Sequence, residues 1–126
     1  MIFDSDVLIW VLRGNRRAAR MVDADGAPCL SIVSYMELLH GARNRAEART
    51  IRDALEQHGF QLLGLSENIG HRAAMYMEQY GLATALDVAD ALIAATAAEN
   101  ALPLATGNQR HFGVIPDIEI VPFRPR

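Results

Sequence analysis

Apolar and polar residues follow two alternating patterns along the chain. Short apolar runs, typical of buried strands, cover residues 1–3, 28–33, 60–65, 102–106 and 118–121. Between these runs, apolar residues recur at helical spacing over residues 7–13, 16–22, 45–58, 66–80 and 87–100. Another helix is expected between Ser34 and Gly41, with Ser34 as its N-cap and Glu37 closing a capping box. Residues 107–113 are expected to form a loop.

The alternation of strands with helices predicts parallel strand pairing. Parallel strands are joined by crossover helices that cover the faces of the sheet, so the predicted fold class is α/β, a three-layer α/β/α domain with a central parallel sheet. The 126 residues suffice for one domain with its own core, spanning residues 1–126. In open sheets of this kind the functional site lies at the carboxyl edge.

Four polar residues are expected at that edge. Asp4 ends the first strand, Glu37 lies in the helix after the second, Asp90 begins a late helix and Asn108 follows a late strand. Each residue type also has a structural explanation, because Asp and Asn are common in helix caps and turns and acids stabilise helix N-termini. Taken singly, capping or turn formation is the simpler explanation for each.

Taken together, the three carboxylates indicate a cation site. All twelve basic residues are Arg and none is Lys, so no lysine is available to neutralise these acids. Neighbouring carboxylates repel one another, which raises a pKa or recruits a cation. Oxygen ligands without a His or Cys cluster favour Mg²⁺ or Mn²⁺ over zinc.

Composition indicates the class of protein and the compartment in which we expect it. The chain is 51% hydrophobic and 21% charged, with a net charge of −3, which is ordinary for a globular domain. Its one cysteine, Cys29, lies in an apolar run and is expected to be a buried strand residue, and a reducing cytosol fits a chain without a disulfide. Without an N-terminal leader pattern or an apolar run long enough to cross a membrane, we expect a soluble cytoplasmic protein.

Four sequence blocks resemble the signature blocks of PIN-domain ribonucleases, and in particular the VapC-like toxins of type II toxin–antitoxin systems. In chain order they read MIFDSDVLI, SIVSYMELLHGAR, DVADALIAATAAENALPLAT and TGNQRHF. The resemblance covers nearly the whole chain. It implies an endoribonuclease that uses Mg²⁺, with Mn²⁺ as a substitute, to hydrolyse RNA such as tRNA or rRNA with metal-activated water. It also implies a cognate antitoxin and a homodimer as partners.

The resemblance assigns metal ligation to Asp4, Glu37 and Asp90. Asn108 falls where many members carry a fourth Asp, and these four are the expected catalytic residues. An amide brings no negative charge, so we expect one tightly held metal and a second that is weak until substrate phosphate adds charge. Metal titration that found two tight sites without RNA would contradict this expectation.

Other residues are expected to support these four or to contact the substrate, namely Ser5, Asp6, Asp87, Thr106 and His111. The family fills the position of Asp6 variably, so Asp6 is expected to be a cap or a neighbour of the metal site. Positive side chains on the first two helices are candidates for RNA phosphate contacts, with a solvated helix face as the alternative, namely Arg13, Arg16 and Arg17. Apolar residues in the same half are candidates for antitoxin contact, namely Trp10, Leu12 and Leu39.

Two alternatives remain open at this point. The opening Phe3-Asp4-Ser5-Asp6 also resembles the DxD motif of haloacid-dehalogenase-like phosphatases, although that chemistry usually needs a lysine and this chain has none. A PIN-like module that binds RNA or a protein partner without cutting is the second alternative, and Asn108 is the residue that favours it.

Overall fold

The computed structural model describes residues 1–126 and contains a five-stranded, wholly parallel sheet with the strand order β3-β2-β1-β4-β5. Helices cover both of its faces, as the alternating pattern predicts. The predicted α/β class with a three-layer arrangement is confirmed. The strands are β1 (Ile2–Phe3), β2 (Cys29–Ser31), β3 (Gln61–Leu63), β4 (Leu104–Thr106) and β5 (Ile120–Pro122).

Seven helices connect the strands, most of them with a side-chain cap at the N-terminus. Asp4, Asn15, Asn44 and Ser66 each accept a hydrogen bond from a backbone N–H at the start of the helix that follows. A π-helical turn, Met77–Gly81, continues the fifth helix. The helices are α1 (Ser5–Leu12), α2 (Arg16–Ala24), α3 (Ile32–His40), α4 (Arg45–Gln57), α5 (Glu67–Tyr76), α6 (Val88–Glu99) and α7 (Gln109–Phe112).

Successive strand residues point to opposite faces of the sheet and fill two separate cores. Ile2, Cys29 and Leu104 pack with α5 and α6 on one face, whereas their chain neighbours Phe3, Leu30 and Ala105 pack with α1 and α2 on the other. Both faces of the three central strands are therefore buried, which explains why these strands are apolar runs rather than alternating sequences. Cys29 is buried in its strand, as expected.

Two local predictions are wrong. The helix after β2 begins three residues earlier than predicted, because the Ser31 side chain accepts from the Val33 N–H and takes the capping role assigned to Ser34. Ser34 is instead a buried residue inside α3. The segment 107–113, expected to be a loop, contains the short helix α7, which the fully buried side chain of Phe112 anchors to the core. Among the helices, none has the length and apolar character needed to cross a membrane.

Candidate active site

Asp4 lies at the junction of β1 and α1, at the carboxyl edge of the sheet. Its side chain is 5% exposed and accepts hydrogen bonds from the Ser5 N–H at 2.8 Å and from the Thr106 hydroxyl at 2.7 Å. The parallel register that pairs Phe3 with Ala105 brings Asp4 and Thr106 side by side at the ends of their strands. Burial raises the pKa of Asp4, and the hydrogen bonds from Thr106 and Ser5 only partly oppose this rise.

Glu37 reaches the same edge from α3. The Ser5 hydroxyl lies between the two acids, 3.1 Å from Glu37 Oε1 and 3.4 Å from Asp4 Oδ1. Burial raises the pKa of Glu37, and the negative charges of Asp4 and Asp87 raise it further. Since Ser31 rather than Ser34 caps α3, the proposed capping-box role of Glu37 does not exist, and its carboxylate faces the site.

Asp90 lies in the first turn of α6 and both caps the helix and faces the site. Asp87 is the N-cap, and the two residues form a reciprocal capping box, with the Asp90 N–H donating to Asp87 at 2.9 Å. Burial is the main cause that raises the pKa of Asp90 to about 6, and the negative charges of Asp87 and Asp4 add to it. A cap and a position at the candidate site therefore coexist at Asp90, whereas the sequence pattern alone presents capping and function as alternatives.

The segment after β4 completes this edge of the sheet. The Asn108 N–H donates to the Thr106 hydroxyl at 2.9 Å, and the same hydroxyl donates to Asp4. The Asn108 side-chain amide lies 2.8 Å from His111 Nδ1, which in turn lies 2.8 Å from Asp90 Oδ2. A continuous polar chain thus runs from Asp4 through Thr106, Asn108 and His111 to Asp90.

Asp6 lies close to Asp4 and binds the start of the segment that follows β4. Its Oδ2 accepts from the Gly107 N–H at 2.9 Å, while its Oδ1 is buried without a hydrogen-bond partner. Burial, and then the negative charge of Asp4, raise the pKa of Asp6 to about 6. Asp4 is the N-cap of α1, so Asp6 is a neighbour of the site rather than a cap.

Gly107 is part of the candidate site, because its N–H donates to Asp6, but the sequence pattern does not single it out. A Cβ on this residue would lie 2.8 Å from Asp6 Oδ2 and 3.2 Å from the Phe123 carbonyl oxygen, so a side chain does not fit without a shift of its neighbours. The only signal in the sequence is a glycine directly after a strand, which also fits an ordinary turn.

The arginines named as RNA contacts are exposed on the surface of α1 and α2. Arg13, Arg16 and Arg17 form no ion pair with the site acids, and Arg13 lies over the Trp10 ring at 5.6 Å. Their guanidinium groups are therefore available to a partner rather than used within the fold.

The oxygen-rich donor set fits a hard divalent cation. Asp4, Glu37 and Asp90 have raised pKa values because their charges are buried and mutually repulsive, and no arginine pairs with them. No three His, Cys, Asp or Glu side chains converge closely enough to form a ready-made metal-binding group. A cation at this edge would offset the repulsion between these carboxylates.

Comparisons with known proteins assign this chain to a family. Residues 1–117 match the family described as PIN domain. The chain is 37% identical to Ribonuclease VapC10 of Mycobacterium tuberculosis over 134 aligned residues, which cover 100% of this chain and 98% of the relative. The chain therefore belongs to the PIN-domain family. Within it, the sequence similarity over the full length is to a VapC-type protein, as the four sequence blocks indicate.

Solved structures agree with this assignment. A toxin–antitoxin complex from Klebsiella pneumoniae contains a chain that is 29% identical, with a TM-score of 0.80 and coverage of 99% of this chain and 97% of that one. DNA-bound VapBC from Salmonella typhimurium has a TM-score of 0.82 at 20% identity, with 96% of each chain covered, and supports the fold alone.

Proposed function

We propose that this protein is a Mg²⁺-dependent endoribonuclease and the toxin of a toxin–antitoxin pair. The observation that carries the proposal is that Asp4, Glu37 and Asp90 lie at the same carboxyl edge of the sheet, with raised pKa values and without an arginine paired to any of them. The full-length relative bears the name ribonuclease, and several solved neighbours are toxin–antitoxin complexes. Family membership removes the basis for the phosphatase alternative, whose DxD resemblance rests on Asp4 and Asp6 alone.

Asp4 and Asp90 are the proposed main ligands of the metal, and Glu37 ligates it directly or through water. A divalent cation bound there supplies a Lewis acid that activates water and stabilises in-line displacement at phosphorus. The protein's own contribution is to hold the ligands: Thr106 and Ser5 fix Asp4, and the Ser5 hydroxyl keeps Glu37 at hydrogen-bond distance. Since burial favours the protonated form of Asp90, with a pKa of about 6, metal uptake below neutral pH is accompanied by proton release.

Cleavage of RNA by the purified protein, with and without metal, tests this function. We expect cleavage with Mg²⁺ or Mn²⁺, none with EDTA, and loss of activity to background in Asp4→Asn, because the amide keeps the shape of the ligand but removes its charge. Asp53→Asn is the matched control, since Asp53 is exposed on α4. Cleavage that survives both EDTA and Asp4→Asn would rule out a metal-dependent nuclease built on Asp4.

The non-cleaving module is the alternative that this assay also decides. Asn108 favours it because an amide lacks the charge of the carboxylate that many family members carry there. Wild-type protein that binds RNA and Mg²⁺ but does not cut would establish the binding module. Under the nuclease proposal, calorimetry without RNA should detect one tight Mg²⁺ or Mn²⁺ site rather than two.

The proposed protein partner is an antitoxin, and a groove beside the active site is its proposed contact surface. The groove has a volume of about 610 Å³, lies between α1, α3 and α4, and contains Glu37 at its wall. Of the three apolar candidates from the sequence, Leu12 lines this groove, whereas Trp10 and Leu39 do not. A homodimer belongs to the same proposal, and light scattering of the purified protein measures it.

A further inference from the structure

His111 occupies a position from which it contacts two residues of the site at once. Its Nδ1 lies 2.8 Å from Asp90 Oδ2 and 2.8 Å from the Asn108 side-chain amide. The imidazole is partly covered, with 29% of its side chain exposed, and Asp90 is more deeply covered at 13%. The two contacts connect α7 to the start of α6, two elements that are separate in the sequence.

The hydrogen bond at Nδ1 joins His111 to the Asn108 side chain. The contact with Asp90 Oδ2, at the same distance, is a close polar contact between the imidazole and the carboxylate. His111 therefore lies between Asn108 and Asp90.

The two Asp90 oxygens have different contacts. Oδ2 lies against His111 Nδ1 and accepts from the Asp87 N–H at 3.3 Å. Oδ1 makes no hydrogen bond within the chain and is available to a ligand. His111 and the helix N-terminus therefore hold the Oδ2 side of the carboxylate.

We propose that His111 is a positioning residue that holds Asp90 and Asn108 together, with Asp90 Oδ1 left available to the cation. This inference rests on the proposed function, because it concerns the same metal site. Removing a polar neighbour of a ligating side chain typically changes metal affinity by about 10- to 100-fold.

The surroundings of His111 are rigid enough for such a role. The next residue, Phe112, is fully buried, and the His111 N–H donates to the Asn108 carbonyl oxygen at 3.2 Å. The helical turn α7 is therefore fixed to the core on one side and to the site on the other. Arg110, on the same turn, is exposed and makes no side-chain contact with the site, so Arg110→Ala is a matched control.

The experiment compares His111→Ala and His111→Asn with wild type and with the control. The Asn side chain keeps a polar group close to the position of Nδ1, whereas Ala removes it. Electron paramagnetic resonance measures the Kd for Mn²⁺ without RNA, and cleavage is measured across a Mn²⁺ series. We expect His111→Ala to raise the Kd about tenfold, His111→Asn to restore most of the affinity, and the rate of His111→Ala to recover at saturating Mn²⁺.

Other results would overturn the proposal. Unchanged Mn²⁺ affinity in His111→Ala, with cleavage abolished even at saturating Mn²⁺, would make His111 a substrate-contacting residue instead. Unchanged affinity and unchanged cleavage would leave it no role, and wild-type protein that binds no Mn²⁺ would refute both this proposal and the metal site. A shifted Mn²⁺ affinity in a protein that does not cut RNA would refute the nuclease function alone. Thermal unfolding of each variant confirms that it is folded.

Discussion

At the residue scale, the carboxylate of Asp6 is held in surroundings that disfavour its charge. One oxygen of its carboxylate is hydrogen-bonded to Gly107, and the other is buried without a partner next to Asp4. An ionised carboxylate in such surroundings costs free energy that a neutral group of the same shape does not. Both acids are nevertheless held by the end of β4 and the segment after it, because Asp6 accepts from the Gly107 N–H and Asp4 accepts from the Thr106 hydroxyl.

The stability of metal-free protein should therefore increase in Asp6→Asn at neutral pH. Folding raises the pKa of Asp6 from 3.8 to about 6, so the folded state binds this proton more tightly than the unfolded chain. The resulting stabilisation is full below about pH 3.8 and is lost as the pH rises through about 6. Above that pH the amide, which still accepts from Gly107 and carries no charge, should be more stable than the carboxylate.

The size of this effect is modest because Asp6 is partly exposed to solvent. After allowance for screening we expect a gain on the order of 1 kcal/mol, or about 3 °C in Tm, at pH 7.5 with EDTA, and no gain at pH 4. Thermal unfolding at the two pH values measures it, and Asp53→Asn is again the control. Equal Tm differences at both pH values would show that ionisation of Asp6 is not the cause. Cleavage by Asp6→Asn should be weakened rather than abolished, in contrast to Asp4→Asn.

At the scale of elements, the sequence was sufficient for the order of strands and helices but not for their exact ends. The central strands β1, β2 and β4 are apolar on both faces and stand out as continuous runs between turn residues. The start of α3 differs from the prediction because Ser31 and Ser34 are both good caps, and the spacing does not show which of the two hydroxyls accepts from the helix N-terminus. The helix α7 was missed because four residues are too few to show periodicity.

The positions of the candidate site residues could be predicted where they depend on the ends of the strands. Asp4, Glu37, Asp90 and Asn108 could be named because parallel strands bring their carboxyl ends to one edge. The link through His111 could not be derived from spacing, since it depends on how α7 turns its side chains towards α6. The dual role of Asp90, cap and site residue together, likewise requires the three-dimensional arrangement.

The groove between α1, α3 and α4 gives a prediction at the same scale. Ile9 lines it and is 40% exposed, so Ile9→Asp should cost little stability yet place a charge in an apolar contact surface. We expect the product of a neighbouring antitoxin-like gene to bind wild-type protein and to bind Ile9→Asp at least about tenfold more weakly, since a desolvated, unpaired charge at an interface core costs several kcal/mol. Calorimetry with the purified pair measures the affinity.

Met75→Asp is the matched control for this prediction, because Met75 is equally exposed at 40% but lies on α5, outside the groove. An equal decrease of affinity in both variants would indicate a general effect of the added charge. Unchanged affinity in Ile9→Asp would place the antitoxin elsewhere on the surface.

At the scale of the whole molecule, charge is distributed unevenly in a way that bears on RNA binding. The protein is acidic overall, with a net charge of −3, and the acids of the active site add a local negative field that repels phosphate. Eight of the twelve arginines nevertheless lie within residues 1–52. Attraction to RNA must then come from local positive patches rather than from the total charge.

Arg16 and Arg17 are the residues that test this idea most directly, because both are exposed on α2 and form no ion pair. In Arg16→Gln/Arg17→Gln we expect KM for RNA to rise and kcat to stay near wild type. Removing each arginine–phosphate pair should also reduce the slope of log KM against log salt by about 0.7. Arg45→Gln/Arg49→Gln removes the same charge from exposed positions on α4 and is the control. If both double variants change the slope equally, RNA binding depends on net charge rather than on a local contact with α2. The assignment of these two arginines as phosphate-binding residues is then wrong.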